Sequence, residues 1–257
     1  MVIAHPNSKT VIHPMKFFFA LLVFAIITIP LNAQFTDSTT KYLNINSGGS
    51  INKTKDGSNY LLNNGVQFSV KKQRTTLNSS ATWIYGANPE KLTNNDFSLS
   101  SNVNLYRHFA EFYYWGLLHY TTSYSLNIKN QGQVGIGVAY NFLNKKDIWL
   151  NVSNGFIGEL SRIIENDTSI VNYQTIRNSL RVQFMLKLGE RFTFKTGGFF
   201  QPSLKYISDH ILTNDTELIY QLWKGLQLNT RFMYNKISRT EKENLIFTYG
   251  LKYAIYF

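Results

Sequence analysis

The chain has 257 residues, enough for one large all-β domain or two small domains, and it contains no cysteine, which excludes disulfides, thiolate chemistry and cysteine zinc sites. Aromatic residues make up 15% of the chain, more than a soluble core requires, while a mean hydropathy of −0.19 excludes a bundle of membrane helices. The formal net charge of +11 favours contact with anionic surfaces or solutes.

The N-terminal region has the pattern of an export signal. Lys16 precedes an apolar run from Phe17 to Ile29, and the small residue Ala33 offers a cleavage site before Gln34. The run is short for a bilayer-spanning helix, so an uncleaved anchor is the weaker alternative. We therefore expect residues 1–33 to be an extension plus a cleaved signal peptide, with translation beginning at Met1 or Met15, and residues 34–41 to be a short linker.

Twelve segments of similar length follow, separated by turn-forming residues. Most of them alternate between apolar and polar residues, which is the pattern of a β-strand with two unlike faces. The predicted strands are 42–53, 59–71, 75–86, 95–106, 109–122, 131–143, 147–160, 174–188, 191–204, 211–223, 226–237 and 244–257.

The polar faces of these strands decide between a soluble and a membrane barrel. A soluble barrel packs its apolar face inside, and the charged face then points to water. Here the second face carries many charged residues among Asn, Ser, Gln and Gly, which suits a polar lumen inside a lipid-facing exterior. We predict an all-β fold: a transmembrane antiparallel up-and-down β-barrel of about 12 strands over residues 42–257, in a bacterial outer membrane, with an edge strand of a soluble sandwich as the alternative for the last segment.

The connections are predicted to alternate in length. Tight turns are expected at 72–74, 107–108, 144–146, 189–190 and 224–225, and longer polar loops at 53–58, 87–94, 123–130, 161–173, 206–210 and 238–243. Short turns on the periplasmic side and longer loops outside are typical of membrane barrels. An even number of strands then brings both chain ends to the periplasmic side.

The last strand has the pattern of a C-terminal insertion signal. Large apolar residues occupy alternate positions up to the terminal phenylalanine, and such strands are recognised by the barrel assembly machinery, which we expect as a partner. The residues assigned to this signal are Tyr249, Gly250, Tyr253, Ile255 and Phe257.

The middle of the chain resembles the DUF481 family of proposed outer-membrane β-barrels, some of them described as salt-induced outer-membrane proteins. The resemblance lies in Leu92–Phe97, Tyr114-Trp115-Gly116, Gln133–Tyr140 and Asn151–Gly155, and it extends over about residues 42–257. It implies location and architecture, and no catalytic residues. The aromatic- and asparagine-rich strands also resemble envelope proteins of Bacteroidota.

Six cations fall on the inferred inward faces of the later strands. We predict that they form a basic wall in the lumen, which would favour small anions. The alternative is a structural ladder in which Glu159, Glu217 and their neighbours neutralise the cations and close the barrel. The predicted wall residues are Arg177, Arg181, Lys187, Lys195, Arg231 and Lys252.

Other sites have less support in the sequence. Gly135-Ile136-Gly137 lies within a strand, so it is expected to supply small lumen-facing residues rather than a dinucleotide loop. No cofactor, metal site or nucleic-acid partner is expected. We expect the positively charged residues to contact outer-membrane lipid phosphates and anionic glycolipid instead. We expect no enzyme. The best candidate for a lipid-active site is His119, which is close in sequence to Ser123 and Ser125, and an interfacial or loop-capping histidine is the alternative. A lipid-active site would also need its catalytic groups on the membrane-facing side at the outer rim.

The sequence therefore favours a small passive pore or an envelope-integrity protein. A closed structural barrel whose extracellular loops bind a ligand or partner is the second hypothesis, and a lipid-active enzyme is the third.

Overall fold

The computed structural model describes residues 40–54, 57–106, 111–165, 169–206 and 208–257, with no side-chain description for 51–58. The expected signal peptide, most of the linker and the expected turn at Arg107-His108 lie outside these ranges. The described elements are β1 (Lys41–Thr54), β2 (Gly57–Lys72), β3 (Thr75–Ala87), β4 (Leu92–Tyr106), β5 (Phe112–Ser123), β6 (Ile128–Asn144), β7 (Ile148–Glu165), β8 (Ser169–Leu188), β9 (Phe192–Pro202), β10 (His210–Gln221), β11 (Leu226–Ile237), a 3-10 turn (Ser238–Thr240) and β12 (Lys242–Tyr256).

The strands form a closed antiparallel barrel. Each strand pairs with its neighbours in the chain, and β1 pairs with β12 to complete the ring. This confirms the predicted fold of twelve antiparallel strands. None of the helical structure in the described ranges is long and apolar enough to cross a membrane.

The seam between β1 and β12 depends on two glycines and on the last residue. Gly48 lies opposite Gly250, where a Cβ added to Gly48 would lie 2.8 Å from the carbonyl oxygen of Tyr249. Lys41 and Phe257 exchange backbone hydrogen bonds of 2.8 and 3.0 Å. Both ends of the described chain therefore meet at one end of the barrel, called the terminal end below; the opposite end is the loop end.

The outside of the barrel is apolar, as predicted. On β6, Val134, Ile136 and Phe142 are exposed, Ile136 to 70%, whereas Ala139 on the other face is only 2% exposed. Exposed aromatic residues lie towards both ends of the barrel: Trp83 is near the loop end, and at the terminal end the rings of Tyr140 and Phe142 meet edge to face at 5.0 Å. A strand with a lipid-facing apolar side and aromatic residues near the rim has the pattern of an outer-membrane barrel.

Within the described residues the predicted tight turns at 72–74, 144–146, 189–190 and 224–225 are present, but several of the predicted long loops are wrong. The expected loop 161–173 continues the ladder between β7 and β8, in which Ser161 pairs with Tyr173 and Ile163 with Val171. The expected loop 123–130 shrinks to 124–127, because β6 begins at Ile128. The polar residues read as loop lie on both faces of these extended strands: Ser161 and Tyr173 are buried on the inner face, and Arg162 and Asn172 are exposed on the outer face.

The C-terminal strand lies in the barrel wall with two kinds of surroundings. Tyr249 is exposed on the outer face, while Gly250 on the inner face meets β1. Ile255 shares the register parity of the outer face but is only 4% exposed. The alternation of exposed residues expected along this strand is therefore interrupted at Ile255, and Phe257 is exposed again.

Candidate functional site: the barrel lumen

Two cavities in the lumen are lined by described residues. The loop-end cavity has a volume of about 430 Å³, and the terminal-end cavity has a volume of about 940 Å³. They adjoin along β3 and β4, where Asn78 and Asn104 line the terminal-end cavity and the next inward residues, Ser80 and Asn102, line the loop-end cavity. Small uncharged side chains thus line this side of the lumen where the two cavities meet.

Most of the charged residues lie on the opposite side, on β7 to β12; Lys71 of β2 and Asp96 of β4 are the exceptions among the described strand residues that line the two cavities. All six cations of the predicted wall are on inward faces, but they divide into different surroundings. Arg181 and Arg231 line the loop-end cavity, Lys187, Lys195 and Lys252 line the terminal-end cavity, and Arg177 is enclosed in the wall between strands.

Arg177 is the centre of a buried network. Its guanidinium donates to Glu159 Oε2 from Nε at 2.6 Å, to Asp209 Oδ2 from Nη2 at 2.9 Å and to the Gln201 carbonyl from Nη1 at 3.1 Å. Arg177 is 1% exposed. Burying two carboxylates and one guanidinium removes their hydration, and this cost is offset only if each of their polar atoms forms a hydrogen bond.

The remaining bonds of the carboxylates tie several strands together. Gln133 Nε2 and Ser161 Oγ donate to the two oxygens of Glu159 at 3.0 and 3.2 Å, and Tyr173 Oη donates to Asp209. Asp209 belongs to the connection between β9 and β10. The network therefore fixes this connection against the wall of β6 to β9, near the loop end.

Two further cations are ion-paired. Arg231 reaches Asp215 through two hydrogen bonds of 2.8 and 2.5 Å, and Lys252 Nζ lies 3.3 Å from both oxygens of Glu217. Arg181 donates to Ser153 Oγ at 3.2 Å. Part of the expected structural ladder is therefore present, with Glu159 and Glu217 in it.

Sequence reasoning missed two members of this ladder, Asp209 and Asp215. Asp215 has the same parity on β10 as Glu217, so the alternation contained the signal for it. Asp209 lies one step beyond the strand, and only the fold brings it to Arg177.

The terminal-end cavity has a surplus of positive charge. Within the described residues, neither Lys187 nor Lys195 forms an ion pair, and Asp147 and Glu190 are the acidic residues among those that line this cavity. The cationic residues that line it are Lys71, Lys146, Lys187, Arg191, Lys195, Lys224 and Lys252. The predicted basic wall is thus concentrated at the terminal end, while the charges of the loop-end half are mostly balanced.

The turn between β5 and β6 folds into the loop-end mouth. Ser125 Oγ donates to Asp96 Oδ2 at 2.7 Å and accepts from Asn244 Nδ2 of β12 at 2.8 Å. Leu126 packs with Ile211 and Ile237 of β10 and β11, nearly across the barrel. The turn therefore bridges opposite walls.

A second apolar group narrows the same mouth. Ile84 of β3 packs against Met233 of β11 and Ile246 of β12 inside the barrel. These inward aliphatic residues depart from the polar lumen that the alternation predicted, although Ile246 already stood out on the mixed face of the last strand. Together with the β5–β6 turn they cover much of the loop end.

Three of the four segments of the family resemblance meet on the inner wall of β5, β6 and β7, and the fourth, Leu92–Phe97, lies on β4. The indole of Trp115 donates from Nε1 to the Val138 carbonyl at 3.2 Å. A Cβ added to Gly137 or Gly155 would lie 2.5 Å from Cζ2 of this indole. The glycines therefore provide the space for the ring, which agrees with the expectation that Gly137 is a small lumen-facing residue.

His119 lies on the lumen face and lines the loop-end cavity. It is therefore away from the membrane-facing surface that a lipid-active site would need. Ser123 and Ser125 both bond to Asp96. Across the described ranges no group of three His, Asp or Glu residues is arranged to hold a metal ion.

Comparison with known proteins gives a family and a fold. The family model described as "Protein of unknown function, DUF481" matches residues 54–254. No curated protein shows significant sequence similarity to the chain.

Three solved structures illustrate the fold. The translocator domain of the autotransporter NalP from Neisseria meningitidis has a TM-score of 0.51 and 13% identity, covering 93% of this chain and 94% of its own. The NanC porin has a TM-score of 0.52 and 10% identity, covering 84% and 99%. An outer membrane channel from Pseudomonas putida F1 has a TM-score of 0.51 and 11% identity, covering 90% and 100%. At these identities the likeness concerns the fold: the chain is a β-barrel of the outer-membrane type.

Proposed function

The chain belongs to the DUF481 family, and from that premise and the shape of its lumen we propose that it is a narrow, passive outer-membrane channel that favours small anions. The observation that carries the proposal is the surplus of positive charge in the terminal-end cavity. A barrel that served only as a scaffold would gain nothing from lysines such as Lys187 and Lys195 without ion-pair partners, because uncompensated charge in a confined space is costly.

The rest of the lumen supports a route for solutes. The two cavities adjoin along the Ser and Asn side chains of β3 and β4, opposite the charged wall. A path with polar small residues on one side and fixed cations on the other is suited to hydrated anions. The apolar side chains at the loop-end mouth predict a low conductance, because hydrophobic constrictions oppose the entry of water and ions.

The closed structural barrel is the second candidate. The observation in its favour is the β5–β6 turn, which joins Asp96 and Asn244 across the mouth through Ser125. In that case the external surface of the loop end carries the function, through binding of a ligand or a partner protein.

A channel of this kind must be exported and inserted in a membrane. We infer export through a cleaved signal within residues 1–33, insertion by the barrel assembly machinery through the C-terminal strand, and residence in a bacterial outer membrane. The apolar exterior contacts lipid, and the basic rim residues contact lipid phosphates or anionic glycolipid. We propose no catalytic role for the chain.

A planar bilayer experiment tests the channel. The refolded protein is inserted, its compact fold is checked by heat-dependent migration on SDS gels, and conductance and reversal potential are measured in a salt gradient. We expect small steps with anion preference. The double variant Lys187→Glu with Lys195→Glu should shift the preference towards cations, since it reverses charge in the terminal-end cavity.

A matched control places the same charge changes outside the barrel. Lys129 and Lys236 are exposed, and Lys129→Glu with Lys236→Glu should leave the reversal potential near the wild-type value. Conducting channels whose selectivity is the same in both double variants would contradict the basic-cavity argument. A correctly folded barrel that never conducts would favour the closed barrel.

A further inference from the structure

One group of charges in the terminal-end cavity has the composition of a binding site. Lys195 of β9 pairs in register with Glu217 of β10, and Lys187 stands two positions beyond Met185, the β8 partner of Lys195. Lys252 of β12 approaches the same carboxylate at 3.3 Å. The three lysines and Glu217 are called the lysine cluster below.

The cluster is a single electrostatic unit. Lys195 lies within electrostatic range of Lys252, Glu217 and Lys187. Glu217 Oε1 also accepts a hydrogen bond from Asn229 Nδ2 of the neighbouring strand β11 at 3.3 Å, which fixes the carboxylate against the barrel wall. Lys252 and Lys195 thus share one carboxylate, and Lys187 adds a third positive charge beside Lys195.

The missing negative charge defines the ligand. Three cations and one anion leave two positive charges. These charges repel one another more strongly inside the barrel than in bulk water, because the protein wall screens them less. A ligand with two negative charges on oxygen atoms would neutralise them and accept hydrogen bonds from several ammonium groups at once. Chloride would supply only one of the two negative charges.

The position of the cluster also suits a binding step. Lys187, Lys195 and Lys252 all line the terminal-end cavity of about 940 Å³, which is large enough for a small oxyanion. Further cations, including Lys224 and Arg191, line the same cavity and would raise the local anion concentration.

We propose that the lysine cluster binds a small dianionic oxyanion of the phosphate, sulfate or dicarboxylate class inside the barrel. This inference rests on the proposed anion channel and names the class of solute that it would retain. Bound in the lumen, such an anion would reduce the passage of chloride.

Calorimetry with inorganic phosphate tests the site on the refolded full barrel, at constant ionic strength set with chloride. Wild type should bind phosphate in preference to chloride, and Lys195→Gln should weaken binding about tenfold or more, because a charge-assisted hydrogen bond is lost. Glu217→Gln should instead strengthen phosphate binding, since the competing carboxylate is removed. Lys236→Gln removes an exposed charge on the outer face and should change the affinity by less than about threefold.

Conductance measured on the same samples separates this inference from the channel proposal. Phosphate binding with this pattern in a barrel that does not conduct would support the site and remove the channel. A chloride-conducting barrel that binds no phosphate would overturn the site and leave the channel. Equal weakening in Lys195→Gln and Lys236→Gln, or weaker binding in Glu217→Gln, would overturn the cluster as the binding site, provided each variant retains heat-dependent migration.

Discussion

Replacement of Arg177 by methionine tests the buried network most directly. The guanidinium touches Glu159 at 2.6 Å and Asp209 at 2.9 Å, and the side chains of these carboxylates are only 2% and 3% exposed. Removing the cation leaves two carboxylates facing each other without water. Loss of one partner from a buried ion pair costs about 3–5 kcal/mol, so Arg177→Met should lower the free energy of unfolding by at least about that amount.

Arg231→Met is the matched control on the same inner wall. Its ion pair with Asp215 is 21% and 40% exposed, and such pairs contribute about 1 kcal/mol or less. Equilibrium unfolding in guanidinium, with the barrel in detergent micelles and tryptophan fluorescence as the signal, gives both free energies. Because both variants lose the same positive charge, a difference between their free energies of unfolding reports the effect of burial.

A rescue variant identifies the cause of the loss. Arg177→Met combined with Glu159→Gln and Asp209→Asn removes the uncompensated charges, and it should recover a large part of the stability lost in the single variant. Equal destabilisation by Arg177→Met and Arg231→Met would refute the reasoning. So would a triple variant that is no more stable than Arg177→Met, because the penalty would then come from lost packing.

The remaining predictions concern the inner wall, the mouth and the seam. Gly137→Ala should destabilise the barrel, because its Cβ would meet the indole of Trp115 at 2.5 Å, whereas Gly132→Ala, whose nearest new contact is at 3.9 Å, should be close to wild type in guanidinium unfolding; equal stability of the two variants would contradict the wall geometry. Leu126→Ser should increase single-channel conductance by weakening the apolar contacts in the mouth, and an unchanged conductance would show that the turn does not limit flow. Phe257→Ala should slow assembly by barrel assembly machinery in proteoliposomes while leaving the folded barrel stable, and normal assembly kinetics would remove the insertion-signal hypothesis.

The strands were predictable because each one satisfies a local rule. On β6 the apolar residues Val134, Ile136 and Val138 occupy alternate positions, and this period is enough to define a strand and its lipid-facing side. The inward direction of Arg181 and Lys195 followed from the same parity. Errors arose where both faces became polar, as in 161–173, because a polar residue facing a lumen has the same sequence signature as one in a loop.

The partners of the inward residues were less predictable. Glu159 and Glu217 were expected to neutralise lumen cations, and each does contact one, whereas Arg231 is bound by Asp215, which was not singled out. Asp209 reaches Arg177 from a connection outside any strand, where parity gives no direction. Such contacts depend on the position of each strand around the ring.

The sequence by itself determined that this chain is a barrel with an apolar exterior and a charged lumen, because those features depend on alternation within single strands. The tertiary structure decided how the charges are distributed. Closure of the ring brings β5 to face β10 and β11, so that Leu126 enters the mouth, and it brings Lys195 of β9 and Lys252 of β12 to one carboxylate, with Lys187 of β8 in the same cavity. Register and shear between strands distant in the chain fix these distances, and no local pattern contains that information.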